Sequence, residues 1–145
     1  DYSTAVGQMQ AATGVSTEEM GKYEEALKSV YAAGYGESFE DVANSIAKVT
    51  QNLGAMDQSA LEKVTEDAYA LADVFGYDIA ESTRSAKAMM DNFGIDSEKA
   101  FNLIATGAQN GLDYSGELLD NISEFLLILK VIGRGKDIRE TYDRI

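Results

Sequence analysis

The sequence predicts an all-α fold of about six short amphipathic helices, in a compact bundle or a stacked α-array, and three observations carry that prediction. No proline occurs among the 145 residues, so no segment is barred from helix. Apolar residues recur at three- and four-residue spacing through most of the chain, the period of one helix face. A tripeptide of glycine, an apolar residue and aspartate recurs at Gly76-Tyr77-Asp78, Gly94-Ile95-Asp96 and Gly111-Leu112-Asp113. Glycine suits the left-handed position past a helix C-terminus, the apolar residue packs back on the finished turn, and aspartate accepts from free N–H groups of the next helix. The spacings of 18 and 17 residues leave room for helices of roughly four turns.

Taken in order, residues 2 to 12 are polar and alanine-rich and read as the end of a helix that stops near Gly14. Ser16 then reads as an N-cap, with Glu19 completing a capping box and Val15 placed to staple onto Met20. Met20, Tyr23, Leu27, Val30 and Tyr31 follow on one face, away from Glu24, Glu25 and Lys28. Gly34 and Gly36, with Glu37 and Ser38, form the next junction. Phe39, Val42, Ile46, Val49 and Leu53 make the following stripe, with Glu40 and Asp41 in the first turn where the helix dipole favours them, and Gly54 closes it. Asp57 opens a helix whose Leu61, Val64, Ala68, Leu71 and Phe75 alternate by three and four, a pattern for packing along a neighbour at a shallow angle. Asp78 and Glu81 form a capping box for a helix with Ile79, Ala86, Met89, Met90 and Phe93 inward. Asp96 starts another, with Ala100, Phe101, Leu103, Ile104 and Ala108, and a last one begins near Ser115 with Leu118, Leu119, Ile122 and Phe125. Helix starts at intervals of about twenty residues suggest one helix stacked on the next, and the short loops make sequential helices neighbours in space. From Phe125 the chain becomes rich in branched aliphatics and then basic at Gly133-Arg134-Gly135-Lys136. Residues 1–124 therefore read as one helical region and 125–145 as a divergent or foreign C-terminal segment. Asp1 stands in mid-pattern where an initiator methionine would be, which predicts a piece of a longer protein.

The net charge of −13, from 25 acidic and 12 basic residues, lies almost wholly in the first 125 residues, with 22 acidic and 7 basic. Such a surface repels phosphate backbones, which argues against sequence-specific nucleic-acid binding. Cysteine and histidine are both absent, which excludes disulfides, Cys/His zinc sites, thiol nucleophiles and histidine triads. The longest apolar run, Phe125 to Leu129, is far short of the roughly 20 residues of a membrane span.

Individual motifs reduce to structural readings. Asp113-Tyr114-Ser115-Gly116 resembles part of a calcium loop, but aligning Gly116 with the loop's glycine puts Gly111 and Ile122 where carboxylates are required. Gly34-Tyr35-Gly36 is half a phosphate-binding pattern, with Phe39 at the third glycine position and no strand before it. The pairs Glu18-Glu19, Glu24-Glu25, Glu40-Asp41 and Glu66-Asp67 each point two ways on a helix and read as solvated faces. Tyr23, Tyr31, Tyr35, Tyr69 and Tyr77 read as core and junction packing, and Met20, Met56, Met89 and Met90 as core filling. No enzyme, cofactor or metal is expected. No catalytic residue is singled out; the residues expected to matter are structural, the helix junctions themselves: Gly14, Ser16, Gly34, Gly36, Gly54, Gly76, Asp78, Gly94, Asp96, Gly111 and Asp113.

The order of these motifs resembles a known family. Gln10-Ala-Ala-Thr-Gly-Val-Ser-Thr-Glu-Glu-Met20 and Val30-Tyr-Ala-Ala-Gly-Tyr-Gly-Glu-Ser-Phe-Glu-Asp-Val-Ala43 are similar to the core region of phage tail tape measure proteins. So are Thr50-Gln-Asn-Leu-Gly54, Asp73-Val-Phe-Gly-Tyr-Asp78 and Gly111-Leu-Asp-Tyr-Ser-Gly-Glu-Leu-Leu-Asp-Asn-Ile122, so that the likeness spans roughly residues 8–124. The resemblance implies a structural module of the phage tail, acting in tail assembly and tail-length determination and released at DNA ejection. It implies self-association and, as partners, the tail tube, assembly chaperones and tail tip. Its place would be the tail lumen of the virion, and the host cytoplasm during assembly. An acidic surface suits a lumen through which DNA passes without sticking. The alternative from residue chemistry is a soluble helical adaptor that holds an amphipathic partner helix in a groove.

Overall fold

The computed structural model describes residues 1–109; the junction at Gly111 and Asp113, the helix expected from Ser115 and the segment 125–145 lie outside the described residues. The described part is all-α. Its helices are α1 (Tyr2–Thr13), α2 (Met20–Ala32), α3 (Phe39–Leu53), α4 (Gln58–Phe75), α5 (Ile79–Phe93) and α6 (Ser97–Gln109).

Each start has a local cause. Asp1, Ser38, Asp57 and Asp78 lie just before their helices, and the side chain of each accepts from the backbone N–H three residues on. Asp96 does the same for Lys99 at 2.9 Å. These bonds satisfy donors that the first turn of a helix leaves without intrahelical partners. The Ser16 start is corrected: its Oγ accepts from Glu19 N–H at 3.3 Å, but the helix begins at Met20. Residues 17–19 form a turn closed by Glu19 N–H to Ser16 C=O and Met20 N–H to Thr17 C=O. Ser16 thus caps a preliminary turn. The ends are glycines for the reason the tripeptide suggests: Gly14, Gly76 and Gly94 sit in the left-handed region with φ of 71°, 72° and 66°. Gly54 differs, with φ 86° and ψ −176°, so the chain leaves α3 extended.

Packing follows a rule that short loops alone do not give. Contacts run from α1 to α3 to α5 and from α2 to α4 to α6, and also between successive helices from α2 onward, that of α5 with α6 being as extensive as that of α2 with α4. Odd helices form one layer and even helices the other, so the chain zigzags between them. Successive helices meet across the layers, but the larger contacts of α3 and α4 are with the helix two places away. The expectation that sequential helices are neighbours in space holds from α2 onward. α1 joins α2 mainly through side chains: Tyr2 Oη donates to Glu24 at 3.0 Å, and Lys28 Nζ lies 5.4 Å from the Tyr2 ring centre. Along the first layer, Gln51 donates to the Ala12 carbonyl at 2.8 Å, and the Tyr2 and Phe39 rings meet edge to face at 5.3 Å.

The core lies between the layers. Tyr23, Leu27, Val30, Val42, Ile46, Val49, Leu61 and Val64 are at most 1% exposed. Burying a side chain of this size stabilises by about 1.5–3 kcal/mol. Tyr31, expected inward, is exposed and instead covers Phe39, at 4.4 Å between ring centres. Phe39, Phe75, Ile79, Met90 and Phe93 are only partly buried, at the rim of the core. The inward face of α5 holds a surprise: beside Ala86 and Met89 it buries Ser82, Thr83 and Ser85.

Candidate functional site

The best-organised polar constellation lies where the α2–α3 junction meets α4. Ser45 Oγ donates to Tyr69 Oη at 2.9 Å, and Tyr69 Oη donates in turn to Asp41 Oδ2 at 2.9 Å. The same carboxylate oxygen accepts from Glu37 N–H at 3.1 Å, while Asp41 N–H donates to Ser38 Oγ. Gly36 completes the arrangement. Its φ is +75°, and a Cβ there would lie 2.6 Å from Val42 Cγ2, 2.9 Å from Asp41 Oδ2 and 3.0 Å from Tyr69 Oη. Only glycine combines that backbone angle with that approach. The Tyr35 ring stands 6.0 Å from that of Tyr69. Together these groups latch the junction to α4.

The chemistry of the latch is that of a fastener. Burial holds the Tyr69 phenol above its ordinary pKa, and the Asp41 carboxylate adds to this against the Ser45 hydrogen bond. The phenol stays protonated at neutral pH and serves as a donor, with no tendency to act as a base or nucleophile. Asp41 is therefore no solvated surface carboxylate, a correction to the reading of the Glu40-Asp41 pair.

A second feature is an open groove of about 470 Å³ between the N-terminal ends of α4 and α6, lined by Asp57, Ser59, Lys63, Asp96, Ser97 and Glu98 among others. Lys63 Nζ pairs with Asp67 Oδ1 at 2.7 Å. Burial outweighs the ammonium at Asp67 and raises its carboxyl pKa; at the more exposed Lys63 the hydrogen bond to Asp67 dominates and raises the ammonium pKa. Asp67 Oδ2 is buried without a hydrogen-bond partner, which also departs from a solvated face.

Of the junction residues expected to matter, Gly36 is drawn into a tertiary contact, while a Cβ at Gly14, Gly34, Gly54, Gly76 or Gly94 would meet nothing within 4 Å. Asp78 and Asp96 cap helices. The Tyr69 and Asp41 partnership has no local sequence signal, since the two lie 28 residues apart. Among the described residues there is no cluster of three His, Cys, Asp or Glu side chains able to hold a metal ion. No described helix is long and apolar enough to cross a membrane.

The chain belongs to the phage-related minor tail protein family, whose model matches residues 24–137. It is also 32% identical over 89 residues to the uncharacterized protein YqbO of Bacillus subtilis (strain 168). That alignment covers 61% of this chain and 6% of YqbO, so the chain corresponds to a small part of a much longer protein. No solved structure matches it. The family match runs past Phe125, across the change in composition there.

Proposed function

We propose that this chain is a segment of a tail tape measure protein, with a structural rather than a catalytic role in tail assembly and tail-length determination, and that it leaves the tail when DNA is ejected. The observation that carries this reading is membership of the minor tail protein family over residues 24–137. The motif order set out above supports the finer assignment. Two further features agree with it: a zigzag stack that can be lengthened by adding helices at its ends, and a net charge of −13 that would keep a tail lumen from holding DNA. Its partners would be further copies of the same protein, the tail tube, assembly chaperones and the tail tip. Its locations would be the virion, and the host cytoplasm during assembly.

The test is an in-frame deletion of residues 20–109 from the full-length gene of the phage, with tail length measured by electron microscopy. Intact tails shortened in proportion to the residues removed are expected. Tails of unchanged length would overturn the length-setting role, and would leave the family assignment standing.

A further inference from the structure

The two faces that bury α3 and α5 are made of different materials. α3 contributes Val42, Ile46, Val49 and Leu53 with two alanines and one hydroxyl, Ser45, which bonds Tyr69, whereas α5 contributes Ala86 and Met89 as its buried apolar residues and fills the rest with Ser82, Thr83 and Ser85. Ser82 Oγ, Ser85 Oγ and Thr50 Oγ1 of α3 are buried without a hydrogen-bond partner, as is Asp67 Oδ2 of α4. A buried polar atom without a partner has lost its bonds to water and gained none in return. None of these four atoms belongs to α1 or α2. Two belong to α5 and one each to α3 and α4, which pack against α5 and α6 as well as against α1 and α2.

The boundary is extensive, and Ala86, Met89, Phe101, Leu103 and Ile104 share the core with residues of α2–α4, but a polar bond also spans it. Asn52 Nδ2 donates to Thr83 Oγ1 at 2.7 Å, a bond that water replaces on opening. The α3–α4 contact is closed by the Tyr69 latch and by aliphatic side chains, both of which lose by exposure.

We infer that α5 and α6 form a detachable unit, which swings away from α1–α4 along a hydroxyl-lined seam while the rest of the array stays folded. Opening rehydrates the unmatched oxygens that face the boundary, against the cost of exposing apolar residues of α6, where Phe101, Leu103 and Ile104 are at most 2% exposed. The device is a weak link built into the interior of the stack, and it lets one part of the array unfold before another.

The test is hydrogen exchange of the whole chain under native conditions, read helix by helix by mass spectrometry. Amides of α5 and α6 are expected to exchange through a sub-global opening, at least about tenfold faster than the slowest amides of α2–α4. Ser82→Ala and Ser85→Ala, which remove the partnerless hydroxyls at little cost in volume, are each expected to slow exchange in α5 by about tenfold. They should leave α2–α4 unchanged. A single common exchange limit for all the described helices would overturn the inference. So would Ser→Ala variants that leave α5 exchange unchanged or quicken it, since the hydroxyls would then not be what loosens the seam.

Discussion

The stretch from α2 to α4 and the stretch from α5 to α6 use the same punctuation and have different interiors. Both join helices through a glycine and a capping aspartate or serine, and both present one inward stripe. In α2–α4 that stripe is mainly aliphatic and aromatic, closed by a hydrogen-bonded tyrosine, although Thr50 Oγ1 and Asp67 Oδ2 are buried there without a partner. In α5 it is largely hydroxyl, with Ser82 and Ser85 unmatched, while α6 returns to apolar residues with Phe101, Leu103 and Ile104. Periodicity alone therefore specifies where helices lie, while the chemistry at the inward positions decides how firmly each is held.

The difference can be attacked from the firm side first. Ile46→Ala removes a fully buried side chain from α3 and is expected to cost about 3–4 kcal/mol, measured by urea denaturation. Met89→Ala in α5 should cost less at the global transition if α5 opens early. Gly36→Ala comes next, at roughly 2–3 kcal/mol, because it combines a left-handed backbone with a Cβ pressed on Val42, Asp41 and Tyr69. Gly76→Ala, with similar φ but open space around it, isolates the backbone part and should cost about 1 kcal/mol. Equal losses at the two glycines would show that the latch adds nothing.

Tyr69→Phe is a smaller change. It deprives Asp41 of one donor and Ser45 of its acceptor, for an expected loss of about 1–2 kcal/mol. The smallest effect is expected at Asp67. Its carboxyl pKa is raised above the ordinary 3.8, chiefly by burial, so the folded state holds that proton more tightly than the unfolded state. Its contribution is fully present below the unfolded pKa and is lost as pH rises through the folded one. Asp67→Asn should therefore abolish that component of the pH dependence, which sets in as pH rises above the ordinary 3.8, and should be neutral or mildly stabilising at pH 7. Denaturation curves of both proteins through the acid range and at pH 7 measure it.

Much of the fold was legible because helix ends are local events. Gly14, Ser38, Asp57, Asp78, Gly76 and Gly94 act through bonds to residues three or four positions away, and spacing displays these directly. What spacing hides is tertiary. Ser16 is followed by a turn before the helix begins, because nothing local separates a capped turn from a capped helix. Tyr31 lies at helical spacing but at the edge of the stripe, where Phe39 covers only part of it. The layered order, with odd helices on odd and even on even, depends on crossing geometry. The latch joins Asp41 to Tyr69 across a junction and a whole helix, and Ser82 and Ser85 look like surface residues until the neighbouring helices close over them.

The absence of cysteine makes one measurement unusually direct: a single thiol placed at Ser85 of α5 or at Ala47 of α3, two positions each 3% exposed. The rate of native-state labelling by a thiol reagent then reports how often each position opens, since burial in the closed state is matched. The firm and loose interiors described above require Ser85→Cys to react at least about tenfold faster than Ala47→Cys. Equal rates, or a faster reaction at Ala47, would contradict the account, because both helices would then open together or in the reverse order.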